Sequence, residues 1–231
     1  LYVTLTLDPQ MPSNVLTVYR LSVTGEELIA KKVREEWNEL EILQLIDTIQ
    51  PKSDHVVSLI ESFHRQSGKW AILPKMNSVT NYAVFAPGQL ESKVVQVCLG
   101  LVKGLAYLHE HCFAHRDIKP DNLLVDQDFC LKINDFDLAI RVKGEDEEVD
   151  DQCGTVHWIA PEVEKKLKHS PIKTDRWACG HVLLVLLDEF RKEEKLLRAF
   201  ARNLKPYNPK QRPPLLEWRS YLAAGDSISH E

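Results

Sequence analysis

His115-Arg116-Asp117-Ile118-Lys119-Pro120-Asp121-Asn122-Leu123-Leu124-Val125, running on through Leu131-Lys132-Ile133-Asn134 to Asp135-Phe136-Asp137, is the stretch whose reading decides the fold. Two apolar triplets, 123–125 and 131–133, are bounded by turn formers, so each reads as a brief strand. Paired antiparallel, they hold Asp117, Lys119, Asn122 and Asp135 around one crevice. A carboxylate and an amide oxygen on adjacent loops suit a hard cation such as magnesium, which prefers oxygen ligands and keeps phosphate in its shell. Asp117 and Lys119 stand two apart on one loop, a spacing that lets an acceptor hydroxyl and a phosphate be held side by side.

The whole chain sets bounds on that reading. Its 231 residues suffice for one or two compact units with a sizeable core. The balance of 29 basic against 34 acidic residues, a formal charge of −5, argues for neither nucleic acid nor a membrane surface as partner. No apolar run has the length of a spanning helix. No signal peptide is read, and an opening at Leu1 rather than methionine leaves room for a segment upstream. The cysteines are five, odd in number and scattered, which points to reduced thiols inside a cell, in cytoplasm or nucleus. His109, His111, Cys112 and His115 fit no standard zinc spacing.

Residues 1–9 alternate as a half-buried strand, 15–23 make a second, Gly25-Glu26 a hairpin turn and 28–33 a third strand. Residues 35–46 carry Trp37, Leu40, Leu43 and Ile46 at helical spacing. Strands over 56–63 and 70–73 follow, then a connector at Pro74-Lys75-Met76 and a long helix over 90–111. An acidic run from Glu145 to Asp151 reads first as a solvated, mobile loop, because like charges repel. A second apolar helix follows Asp175, and the charged residues 189–195 read as a helix bridging the stretch toward Arg212.

The opening stretch resembles the catalytic and metal-binding loops of the eukaryotic protein kinases. The resemblance implies an α+β, bilobal fold in a single domain. Its parts would be a small antiparallel sheet with one main helix (1–73), a hinge (74–76) and a mainly helical lobe (77–231), with the nucleotide in the cleft between. It implies Asp117 as the catalytic base, Lys119 steadying the transferred phosphate, and Asn122 and Asp135 holding Mg²⁺. Ala30-Lys31-Lys32 resembles the third strand, with Lys32 as the lysine that binds the ATP phosphates and Glu39 as its partner. Adenine would lie between Val18, Ala30 and Leu124, bonded to the Pro74 carbonyl and the Met76 amide. Arg116, Asp151, Thr155 and Glu162 would belong to the activation and substrate loop, Arg116 pairing with Asp151 as a permanent substitute for a phosphate. Glu162 and Arg212 would form a buried pair, and Asp175 would tie down the catalytic loop.

The sequence departs from the family pattern in three places. Met11, Ser13 and Leu16 stand where the phosphate-covering loop carries glycines, whose bare backbone can approach phosphate closely. Asp137 replaces the final glycine after Asp135-Phe136, and the stretch from Gly180 to Arg212 is much shorter than the family's. The leading expectation is a Ser/Thr protein kinase that transfers the ATP γ-phosphoryl group to a protein hydroxyl. The alternative is a pseudokinase scaffold whose partner is another protein and whose hold on nucleotide is weak or absent.

Overall fold

The computed structural model describes residues 2–4, 14–20, 27–34, 36–66 and 68–220. The expected hairpin turn at Gly25-Glu26 and the positions of Met11 and Ser13 lie outside them. The architecture is α+β, in two compact units. One gathers the described parts of Leu1–Lys52, Val57–Met76 and Asp135–Asp137; the other gathers Ser53–Val56, Asn77–Asn134 and the described part of Leu138–Glu231. Among the described residues, no helix is long and apolar enough to cross a membrane.

In the first unit, β1 (Tyr2–Thr4), β2 (Val15–Arg20), β3 (Glu27–Val33), β4 (Glu61–Arg65) and β5 (Gly68–Pro74) form one antiparallel sheet in the order β1-β2-β3-β5-β4. Register sorts the side chains between its faces, because successive residues of a strand point to opposite sides. Leu16, Ala30 and Ile72 pair across β2, β3 and β5 on one face; Thr17, Ile29 and Leu73 pair on the other, as do Val15, Lys31 and Ala71. The first face buries Leu28, Ala30 and Ile72, with Leu16, Ile60, Phe63 and Trp70 packed against them. Each large aliphatic removed from water there contributes roughly 2 kcal/mol. Helix α1 (Glu39–Asp47) buries Leu40, Ile42, Leu43 and Ile46. It begins later than the apolar periodicity suggests: Trp37 precedes it, with the Arg34 guanidinium stacked 4.4 Å over its ring.

The second unit is mainly helical: α2 (Val79–Phe85), α3 (Pro87–Glu110), α4 (Pro161–Glu164), α5 (Pro171–Glu189) and α6 (Lys195–Asn203). Strands β6 (Asn77–Ser78), β8 (Leu123–Val125) and β9 (Leu131–Ile133) form one small sheet, β7 (Phe113–Ala114) and β10 (Ile140–Arg141) another. The two triplets of the deciding stretch pair antiparallel, Leu123 with Ile133 and Val125 with Leu131. Helix α3 buries the stripe Leu90, Val94, Val97, Cys98, Leu101, Leu105 and Leu108 and packs on β9 and α5.

Two expectations about elements fail for local reasons. The strand read over 56–63 is divided: its later part enters β4, whereas Val56 bridges Ile133 and the His55 carbonyl accepts the Ile133 N–H at 2.9 Å. Helix α3 admits that loop at Gly104, where a Cβ would come within 2.5 Å of the His55 carbonyl oxygen. Residues 189–195 do not form a helical bridge: α5 ends at Glu189 and α6 starts afresh at Lys195, the chain turning through Arg191 at φ 50°. The turn brings α6 against α5 at Gly180, where any Cβ would sit 2.5 Å from the Ala201 carbonyl oxygen. At its other end α5 is set by Ser170, whose hydroxyl accepts the Lys173 N–H, and by Pro171 in the first turn.

Candidate active site

The first unit assembles one charged cluster. From β3, the Lys31 ammonium donates to Glu39 Oε1 at 2.7 Å, to Asp135 Oδ1 at 2.6 Å and to Asp137 Oδ1 at 3.1 Å. Glu39 is supplied by the first turn of α1 and is almost wholly buried. This corrects the assignment of Lys32. That residue is exposed on the opposite face of the strand, lying over Gly68 and paired in register with Trp70. Burial alone would lower the Lys31 pKa, but the carboxylates of Glu39, Asp135 and Asp137 outweigh it and hold the ammonium protonated well above the usual lysine value. Burial pushes Glu39 up to about 8 against the pull of Lys31, and the neighbouring Asp137 adds to the rise. With one ammonium among three carboxylates, Glu39, the most deeply buried of the acids, is the one driven toward holding a proton.

The same slip of one residue moves the expected adenine contacts. Ala30 belongs to the core face with Leu28 and Ile72, away from Lys31; Ile29, Thr17 and Leu73 occupy the Lys31 face. Val18 pairs with Leu28 in register, and its side chain lies outside the described residues. The Thr17 hydroxyl, which sequence reasoning passed over, is buried without a hydrogen-bond partner among the described residues. Pro74 ends β5 and Met76 follows it, both half-buried. The backbone at Asp135 is left-handed, φ 66°, whereas Asp137 is not among the positive-φ residues, so its position makes no demand for glycine.

The second unit assembles another cluster on the loop before β8. Asp117 Oδ2 accepts from Lys119 Nζ at 2.7 Å and from Asn122 Nδ2 at 3.0 Å. The Thr155 hydroxyl donates to Asp117 Oδ1 at 2.7 Å and accepts from Lys119 Nζ at 2.7 Å. Burial by itself would raise the Asp117 carboxyl, but the hydrogen bonds from Lys119 and Thr155 and the nearby charges hold it below its ordinary value. The group is therefore an ionised acceptor at neutral pH. Leu124 in β8 is half-buried.

Asp175 of α5 fixes this loop by accepting the backbone N–H groups of His115 and Arg116, each at 2.7 Å, and His109 Nε2 approaches it at 3.2 Å. Arg116 is held at φ 68°, a region costly for a long side chain. The guanidinium donates to the Leu138 carbonyl at 2.6 Å and to Asp151 Oδ2 at 2.5 Å. The acidic run is thus tethered rather than solvated throughout: Asp146 accepts from Lys173 at 2.5 Å and Glu145 pairs with Arg176. Like-charge repulsion is outweighed because Arg116 and the α5 cations Lys173 and Arg176 face the run. Glu162 of α4 takes a two-pronged bond from Arg212, at 2.5 and 2.8 Å, and Arg212 also donates to the carbonyls of Lys173 and Pro206. His111 bonds the Tyr107 carbonyl and His115 that of Asn134, so these histidines are engaged away from one another. All five cysteines are free thiols.

A matching domain model supplies the frame for these two clusters. The family model described as "Protein kinase domain" matches residues 20–208. The chain belongs to the protein kinase family. It is 45% identical over 89 residues to "Serine/threonine-protein kinase grp" of Drosophila melanogaster, a match covering 38% of this chain and 17% of that protein. It is 30% identical over 150 residues to "Serine/threonine-protein kinase shk2" of Schizosaccharomyces pombe, covering 64% of this chain and 25% of the relative. With "Serine/threonine-protein kinase PAK 5" of Rattus norvegicus the identity is 27% over 169 residues, covering 71% and 23%. The chain thus spans a quarter or less of the length of these relatives.

Proposed function

We propose that this kinase domain is of the Ser/Thr type and transfers the γ-phosphoryl group of ATP to a protein hydroxyl. One observation carries the reading. The Thr155 hydroxyl, an aliphatic alcohol, lies between Asp117 and Lys119 and bonds to both, which supports this pair as the holder of an acceptor hydroxyl. A substrate serine or threonine hydroxyl takes the same two bonds: Asp117, kept ionised, accepts its proton, and Lys119 balances charge as the phosphoryl group arrives. Lys31, positioned by Glu39, takes the place first assigned to Lys32 as the ligand of the nucleotide phosphates. Catalysis of this kind comes from positioning and charge stabilisation.

Each unit holds a hard oxygen donor of the kind Mg²⁺ takes: in the second, Asn122 gives its amide N–H to Asp117 and keeps its amide oxygen; in the first, Asp135 is partly exposed. When bound, the ion would neutralise charge on the β- and γ-phosphates. The test is phosphotransfer from labelled ATP to Ser/Thr peptides. Activity in the parent, reduced at least about a hundredfold in Asp117→Asn, is the expected result. No transfer from the parent, with intact folding, would move the reading to a scaffold, which the missing loop glycines and the crowded Lys31 already favour.

A further inference from the structure

Asp137 gives Lys31 a third carboxylate, and the arithmetic of hydrogen bonding makes that consequential. A lysine ammonium has three N–H donors. Here Glu39, Asp135 and Asp137 receive one short contact each, so no donor is left over for a phosphate oxygen. With glycine at 137, as in the family pattern, one donor would remain free. The Asp137 side chain is only 15% exposed, so its pairing with Lys31 is weakly screened. Its contact, at 3.1 Å, is also the longest of the three and so the first to be exchanged. Its backbone is outside the left-handed region, so the carboxylate is held without strain. A phosphate approaching Lys31 must therefore replace Asp137 and bear its repulsion.

We infer that Asp137 is a built-in competitor for nucleotide phosphate, occupying the Lys31 ammonium and setting the domain's resting affinity low. The inference rests on the reading of Lys31 as the phosphate-binding lysine. It differs from a general loss of the site, because it leaves the contacts of the nucleoside untouched and acts only on the charged part of the ligand.

The test is calorimetric titration of the purified chain with ADP and with adenosine, in EDTA at fixed ionic strength. The proteins are the parent, Asp137→Asn, Asp137→Gly and, as a control for net charge, Asp150→Asn at an exposed position. Freeing one charged hydrogen bond is worth about tenfold in affinity. ADP should bind about tenfold more tightly to both Asp137 variants, with adenosine unchanged and Asp150→Asn like the parent. Equal gains for ADP and adenosine, or an ADP gain shared by Asp150→Asn, would overturn the inference. ADP binding to the parent that neither Asp137 variant improves would overturn it while leaving the nucleotide-site reading intact. Absence of ADP binding in every protein, each verified as folded by its thermal transition, would overturn both.

Discussion

The Lys31 cluster and the Asp117 cluster solve the same electrostatic problem in opposite ways. Around Asp117, one carboxylate is met by an ammonium, an amide and a hydroxyl, so its acceptor sites are filled by donors. Around Lys31, one ammonium is met by three carboxylates, and burial, with the neighbouring Asp137 adding to it, drives Glu39 toward protonation. The buried pair of Glu162 and Arg212 follows the first pattern, with further carbonyls taking the spare guanidinium donors. The lesson is that the carboxylates of Asp117 and Glu162 in the second unit are met by donors, whereas the added carboxylate of Asp137 upsets the balance around Lys31 in the first. A matched network loses much when a member is removed; an over-supplied one has a member to spare.

The largest effect that would break this contrast is expected at the buried pair. Arg212→Ala leaves Glu162 uncompensated and should lower the unfolding free energy by about 3–5 kcal/mol, read from urea denaturation. A loss below 1 kcal/mol would mean the pair is not a matched network at all. Next, Lys31→Ala strands three acids and should cost about 3 kcal/mol, while Lys32→Ala stays within about 0.5 kcal/mol. Equal losses in the two variants would return the role to Lys32. Asp175→Asn keeps one acceptor for the loop's two N–H groups, and a loss of about 1–3 kcal/mol is expected by the same measurement. Asp137→Asn should change stability by less than about 1 kcal/mol in either direction, since it removes a surplus carboxylate.

The smallest effect concerns the tether of the acidic run. The hydrogen bond from Arg176, ahead of burial and the other charges, holds Glu145 below its ordinary value of 4.5. A carboxyl depressed in the folded state adds stability above its unfolded value and loses it as pH falls through the folded one. Stability of the parent should therefore decline below pH 4.5, and Glu145→Gln should flatten part of that decline. Superimposable acid limbs would show that the tether is solvent-screened to nothing.

Much of this was legible in residue order. The deciding stretch brings Asp117, Lys119 and Asn122 together through a loop and two triplets, so local spacing alone nearly fixes their geometry. The long α3 and the apolar α5 follow from helical periodicity over many residues, where local errors average out. Strand β3 offered no such redundancy. Leu28, Ala30 and Lys32 alternate on one face and Ile29, Lys31 and Val33 on the other, and both rows contain apolar residues and a lysine. The family spacing selected the wrong row.

The sequence by itself therefore determined the α+β class, the main helices, the paired triplets and the grouping of Asp117, Lys119 and Asn122, the last three of which rest on contacts between residues near in the chain. Only the tertiary structure decided which lysine enters the first unit's cluster, because a strand's side chains have a period of two and one position changes the face. It also decided what Asp137 does. A carboxylate two residues after Asp135 is an isolated letter until the fold brings it to β3, more than a hundred positions away, within reach of Lys31.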